Sequence, residues 1–375
     1  MQSHAAIARG LTEERPYTKS SPLSLEAVEL LAPRAGELLL RIEAVGVCHS
    51  DLSVINGSRI RPLPMALGHE AAGIVASVGE GVDDIEVGDH VVLSFVPSCG
   101  TCDECQNDRP ALCIPAAKVN GTGDLLHGPA VIRDGDGCKV HHHLGVSGFA
   151  KHAVVARESV VRIPKDVPME TAALFGCAIL TGVGAVINTA NVRAGQSIAV
   201  FGLGGVGLAS VMGGQLVGAR TIIAVDPMEE KRNVALELGA TAVFHPDEAV
   251  EGISKLTEGG VDFAFEAVGV SSVMEVAFQV TNRGGMAVSM GLPHPTQKVT
   301  FPALAFAGLG KTFTGSYMGS SVPQRDIPRY IEAWRDGRLP VEKLRTATLP
   351  LSEINHAFEE LAAGRAIRQI LLPHA

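Results

Sequence analysis

Up to about residue 178 the apolar residues fall in short runs rich in β-branched side chains, at 37–45, 73–78 and 90–95, separated by turns built on Gly, Pro and Asp. Runs of this length bounded by turn formers predict strands, and their irregular spacing predicts a barrel-like β domain. From about Gly195 the rhythm changes. Strand-like apolar segments at 197–201, 221–226, 242–245, 261–266 and 285–290 alternate with helical stretches that begin near Val206 and run over 229–238 and 271–280. Such alternation predicts a parallel sheet covered by helices on both faces. Beyond 320, helices near 328–335 and 352–363 read as a return to the first domain. The expected chain is α/β, with one β-rich domain made of 1–178 and 320–375 around an inserted domain at 179–319.

At 375 residues the chain exceeds the usual size of one hydrophobic core, and 46% apolar sequence suffices for two. A net charge of −9 argues against nonspecific binding to nucleic acid or anionic membranes, so small-molecule ligands are expected. No uninterrupted apolar run of membrane length and no leader pattern are evident, which points to the cytoplasm. In that reducing compartment six of the seven cysteines read as metal ligands rather than disulfides.

Four of them, Cys99, Cys102, Cys105 and Cys113, lie in a loop (97–114) at the spacing C-x2-C-x2-C-x7-C. Thiolates so placed converge on one tetrahedral ion, and four of them close its coordination sphere, as in a structural zinc site. Nucleic-acid zinc ribbons use similar spacing with basic neighbours; here Asp103, Glu104 and Asp108 flank the cysteines. Cys138 has no assigned part.

A second motif, Gly202-Leu203-Gly204-Gly205-Val206-Gly207, follows an expected strand and opens an expected helix, with Asp226 at the end of the next strand. A glycine-rich turn without a ligand is the plainer alternative, but this context is that of a dinucleotide site. Gly202 allows the tight turn, Gly204 the approach of a pyrophosphate, and Gly207 close packing of helix on strand. A carboxylate at Asp226 suits the ribose hydroxyls of NAD and repels the extra phosphate of NADP.

Taken with Gly46-Val47-Cys48-His49-Ser50-Asp51, Gly68-His69-Glu70-Ala71-Ala72-Gly73 and Gly176-Cys177, these motifs stand in an order and spacing that resemble the zinc-dependent alcohol dehydrogenases of the medium-chain dehydrogenase/reductase superfamily, over nearly the whole chain. Its formaldehyde and aryl-alcohol branches share the Phe201 to Gly207 string. The resemblance implies a GroES-like catalytic domain around a Rossmann domain, and zinc at each of two sites, the reactive one held by Cys48, His69 and Cys177. Two thiolates and an imidazole leave such an ion a Lewis acid with one open position. Asp51 and Glu70 would act around those ligands, and Ser50 would pass the alcohol proton outward; Ser53 stands where several relatives place a relay His. By the same resemblance His49 and Arg368 would meet the coenzyme phosphates, Gly205 and Val206 would belong to the phosphate-binding turn, and Lys231 would reach the ribose. Phe95, His142, Leu292 and Tyr317 would line the pocket.

The implied activity is reversible hydride transfer between a primary aliphatic or aryl alcohol and NAD. Alternatives are oxidation of S-(hydroxymethyl)glutathione and a catalytically silent dinucleotide- and zinc-binding scaffold. Branches that take the glutathione adduct carry acidic residues where this chain has Arg59 and Arg61, so the adduct is expected to be a poor substrate; these arginines, with Lys118, would favour an anionic substrate tail. His141 to His143 read as a turn-rich tract rather than a metal site. The insertion between Cys113 and Phe149 resembles the dimeric branches, so a homodimer is expected over a homotetramer, pairing through 311–315 after a strand-like 299–301.

Overall fold

The short apolar runs of the N-terminal half pair into two sheets. In the computed structural model, which describes residues 1–375, Gln2–Ala8, Leu23–Leu30, Ile132–Arg133, Lys139–His142 and Met65–Ala66 form a closed barrel in that order. A second sheet runs Val160–Ile163, His90–Leu93, Glu70–Val78, Glu37–Gly46, Arg368–Leu372, Arg345–Pro350, with His152–Ala156 also paired to Glu37–Gly46. Alternate residues Leu38, Leu40 and Ile42 turn into a common core and are fully buried. Helix Ile354–Ala362 closes that core with Ile354, Ala357, Phe358 and Leu361, the spacing of one helical face.

Register then sets chemistry. Gly46 pairs with Glu70 on one side and Ile370 on the other. Cys48, His69 and Arg368 therefore leave three neighbouring strands at one end of the sheet, although they are far apart in sequence.

These elements form one unit, Met1–Cys177, Val322–Pro328 and Arg345–Ala375; Ala178–Ser321 and Arg329–Leu344 form another. The expected return to the first domain from 320 is thus interrupted, because Tyr330, Ile331, Val341 and Leu344 bury themselves in the second unit and Lys343 meets Glu237 at 3.4 Å. The helix expected at 328–335 spans Pro323–Arg335. Asp326 accepts the Val322 N–H at 2.9 Å and starts the helix early, with Pro328 inside it.

The second unit is a six-stranded parallel sheet in the order Ala242–Phe244, Thr221–Val225, Ser197–Phe201, Val261–Glu266, Thr281–Ser289, Thr312–Gly315. This is the doubly wound order, in which the chain starts at the centre and reverses direction once. Residues 299–301 are not a strand: Pro302 follows, and Phe301 packs instead on Phe278 and Phe313, with ring centroids 4.5 and 4.7 Å away. One helical run, Met169–Thr189, is long and apolar enough to cross a membrane by length and composition, but it is interrupted by polar residues such as Glu170, Thr181 and Asn188, and 89% of that window is buried within the protein. His141 and His142 lie on a strand rather than a turn, because the hairpin Ile132–Arg133/Lys139–His142 closes the barrel there.

Candidate active site and metal centres

Cys48 is the cap of helix His49–Ile55, so its side chain leaves the chain where the strand becomes helix. Asp51, in the first turn, accepts the Gly68 N–H at 2.9 Å and thereby fixes the residue before His69. Gly68 has φ +94°, and a Cβ there would lie 2.4 Å from the Phe149 nitrogen, so the sharp turn that aims His69 admits only glycine. The Asp51 carboxylate stands 3.1 Å from His69 Nδ1 and 3.0 Å from His143 Nδ1, all three residues being buried. Burial alone would raise the Asp51 carboxyl, but His69 and His143 hold it well below the usual carboxylate range. An imidazole anchored through Nδ1 presents Nε2 as a ligand atom.

Cys177 comes from a π-helical turn, Phe175–Ile179, a distortion that recurs at functional sites. The ligand atoms of Cys48, His69, Glu70 and Cys177 all lie within 4.8 Å of one another, and none of these residues is more than 6% exposed. Both thiols are free. Cys48 is held well below the ordinary thiol range by a hydrogen bond from Cys177, with Arg368 and His69 adding to the effect. A buried set of two thiols, an imidazole and a carboxylate at this spacing fits a zinc ion.

The four-cysteine loop brings Cys99, Cys102, Cys105 and Cys113 together by the same measure. Cys102 Sγ lies 3.7 Å from Cys105 Sγ and 3.9 Å from Cys113 Sγ; the backbone N–H of Cys99 points at Cys113 Sγ (3.3 Å) and that of Cys102 at Cys99 Sγ (3.4 Å). Backbone donors aimed at sulfur favour thiolates, and with no other ligand type the set fits a closed zinc site.

In the second unit Gly202 has φ +87°, Gly204 caps helix Gly205–Leu216, and a Cβ on Gly207 would fall 1.8 Å from the Gly202 oxygen. Nothing lies within 4 Å of a Cβ on Gly204, leaving room for a phosphate at the helix N-terminus. Asp226 accepts the Leu203 N–H at 2.8 Å and the Met228 N–H at 2.9 Å, tying the end of one strand to the glycine turn of the next. Arg232, which the sequence did not single out, donates to the Asp226 and Pro227 carbonyls at 2.7 and 2.9 Å, whereas Lys231 is half-exposed on the helix Glu229–Glu237.

The other expected residues are placed as follows. Ser50 Oγ is 4.0 Å from Cys48 Sγ, and Ser53 Oγ donates to the His49 carbonyl at 2.8 Å. His49 is exposed. Arg368 is 3% exposed, with Nε 3.5 Å from Glu70 Oε2 and a terminal nitrogen 3.8 Å from Cys48 Sγ, which puts it against the buried Cys48, His69, Glu70 and Cys177 set. Phe95 stands edge-on to His69 at 5.6 Å. His142 is fully buried, with Nδ1 3.2 Å from Ser147 Oγ, and burial pushes its pKa down to about 3. Leu292 and Tyr317 belong to the second unit and are 51% and 36% exposed. Arg59 and Arg61 are half-buried, and Lys118 is exposed. His143 and its contact with Asp51 were missed; the His tract gave a signal for metal but none for this contact.

Residues 34–165 match the alcohol dehydrogenase GroES-like domain, and residues 205–335 the zinc-binding dehydrogenase domain. The chain is similar over 100% of both lengths to an alcohol dehydrogenase zinc-binding domain protein from Burkholderia ambifaria, with 37% identity and a TM-score of 0.94. It is similar over 99% of both lengths to benzyl alcohol dehydrogenase from Acinetobacter calcoaceticus, at 31% and 0.90. A zinc-binding dehydrogenase from Sinorhizobium meliloti 1021, solved bound to NADP, matches over 100% of both chains at 25% and 0.82. The buried donor set, the four-cysteine lobe and the glycine turn thus occur in a chain that belongs to the zinc-dependent alcohol dehydrogenases of the medium-chain dehydrogenase/reductase superfamily.

Proposed function

We propose that this protein interconverts primary aliphatic or benzyl-type alcohols and their aldehydes with NAD, using zinc held by Cys48, His69 and Cys177 and a structural zinc held by Cys99, Cys102, Cys105 and Cys113. The observation that carries this reading is the buried donor set within 4.8 Å; the 31% identity to a benzyl alcohol dehydrogenase supports the aryl substrate class. When bound, zinc supplies a Lewis acid for the alcohol oxygen and NAD the hydride acceptor.

The protein's own groups do the rest. Asp51 fixes the imidazole of His69, and Phe95 covers its ring with an apolar wall. Ser50 Oγ, beside Cys48, takes the alcohol proton. Ser53 Oγ is already engaged with the His49 carbonyl, so Ser53 is not the next carrier and Ser50 hands the proton on to water. Asp226, with the glycine turn, favours NAD over NADP. Thr312–Gly315 is an outer strand of its sheet, which supports pairing with a second copy as a homodimer.

The test is NADH formation from ethanol, hexanol, benzyl alcohol, an ω-hydroxy acid and S-hydroxymethylglutathione, with NAD and NADP in parallel and metal measured on the same sample. NAD-specific turnover of simple alcohols that exceeds turnover of the glutathione adduct is expected. Tight NAD binding with zinc at both sites and no turnover would refute it.

A further inference from the structure

We propose that Asn120 is a positioning residue that ties the four-cysteine lobe to the Phe95 wall over His69. The inference rests on the reading of Phe95 as a substrate-contacting residue.

Cys113, the last ligand of the lobe, caps helix Ile114–Thr122, so the orientation of the helix follows from the lobe. Asn120 comes seven residues after Cys113, two turns on and on the same face. Cys113 is 1% exposed and Asn120 6%. The Asn120 amide donates through Nδ2 to the Phe95 carbonyl at 2.9 Å, a buried bond across 25 residues of sequence. That carbonyl lies two residues beyond the end of the strand His90–Leu93, one past Ser94, whose N–H is held by the Ser159 carbonyl at 2.7 Å. The Phe95 ring, in turn, stands at 89° to the His69 ring.

The far end of the helix is pinned as well. Gly123, at φ +71°, ends it; its carbonyl accepts the His142 N–H at 2.9 Å, and His141 Nδ1 lies 3.0 Å from the Thr122 carbonyl. The next residue, His143, meets Asp51. The helix that starts at a lobe cysteine therefore braces both the ring that covers His69 and the strand that supports its carboxylate partner. A backbone carbonyl deprived of its buried donor shifts to find another, and Phe95 shifts with it.

The test is a double-mutant cycle of Asn120→Asp and Phe95→Ala in the zinc-replete full chain. Aspartate keeps the shape of asparagine but turns the donor into an acceptor. The expected result is a KM for benzyl alcohol raised about five- to ten-fold, with kcat within about two-fold of the parent and an unchanged KM for NAD. In the Phe95→Ala background Asn120→Asp then has no further effect. Equal losses in both backgrounds, or a parent-like KM in Asn120→Asp, overturn the proposal. Should Asn120→Asp fail to fold, Asn120→Ser, neutral and too short to reach Phe95, takes its place with the same expectations. A parent inactive on every alcohol sinks the proposed function but not this link, which is then read from the visible spectrum of cobalt-substituted parent and variant. A shifted band supports it, and an unchanged band overturns it.

Discussion

Two glycines three residues apart in the same turn are expected to respond in opposite ways to one added methyl group. In Gly207→Ala the new Cβ would stand 1.8 Å from the Gly202 oxygen and 2.9 Å from its carbonyl carbon. Both are backbone atoms, so relief requires the helix Gly205–Leu216 to back away from the turn by more than about 1 Å, and overpacking of this kind costs on the order of 3 kcal/mol. At roughly 2–4 °C per kcal/mol for a unit of this size, the melting temperature should fall by about 6–12 °C. Gly204 has φ −74° and ψ −173°, which alanine adopts freely, and nothing within 4 Å of the new Cβ. Gly204→Ala should be neutral or more stable by about 0.4–1 kcal/mol through the unfolded chain. Its methyl group instead takes the space a pyrophosphate would enter, so NADH affinity should fall by about ten-fold or more. The assays are thermal melts of dinucleotide-free protein and NADH fluorescence titration. Gly204→Ala with the parent's NADH affinity, or Gly207→Ala melting with the parent, would refute the reasoning.

Asp226→Ser should shift the ratio of kcat/KM values from NAD towards NADP by at least about ten-fold; an unchanged ratio removes Asp226 from ribose selection. Cys102→Ser should lose one metal equivalent and melt earlier, and full metal content by mass spectrometry would show that the four thiols do not share an ion. His142, held near pKa 3 in the fold against 6.5 for the free side chain, stays neutral while the unfolded chain takes up a proton below 6.5. Its contribution is therefore complete above pH 6.5 and declines on acidification by about 1.4 kcal/mol per pH unit, roughly 2 kcal/mol by pH 5. Urea midpoints of His142→Gln should fall less between pH 6.5 and 5 than those of the parent; parallel losses would contradict the assignment.

The parallel sheet was legible because its strands are short, mostly buried and mostly apolar runs: 197–201 and 261–266 coincide with Ser197–Phe201 and Val261–Glu266. The four cysteines were legible because their spacing is local. Cys48, His69 and Cys177 carry no local pattern, since their approach depends on strand register and a π-helical turn, and only the family resemblance pointed to them. Helix Ile114–Thr122 escaped notice because Pro115, Asn120, Gly121 and Thr122 give it no apolar stripe; its order comes from Cys113 at one end and the barrel strand at the other. The start of Pro323–Arg335 was misplaced for a related reason. Pro328 reads as the first residue of a helix, while the Asp326 bond to the Val322 N–H that sets the real start is invisible in the apolar pattern.

Charge around the buried Cys48, His69 and Cys177 set leads to a last prediction. Glu70, Arg368 and Asp51 are 0%, 3% and 0% exposed, so each charge there must be balanced by a neighbour rather than by water. Arg368 is the cation facing both Glu70 and Cys48, and those groups keep its pKa above the usual arginine range despite burial. Arg368→Met keeps much of the bulk but deletes the cation. Breaking a buried pair in this way costs about 3–5 kcal/mol, whereas replacing both partners by neutral groups costs far less. Glu70→Gln with Arg368→Met should therefore be more stable than Arg368→Met alone, in urea melts with metal content matched. If the single variant is as stable as the parent, Glu70 is not ionised in the folded protein, and the charge balance of the site must be redrawn with a neutral carboxyl beside Cys48.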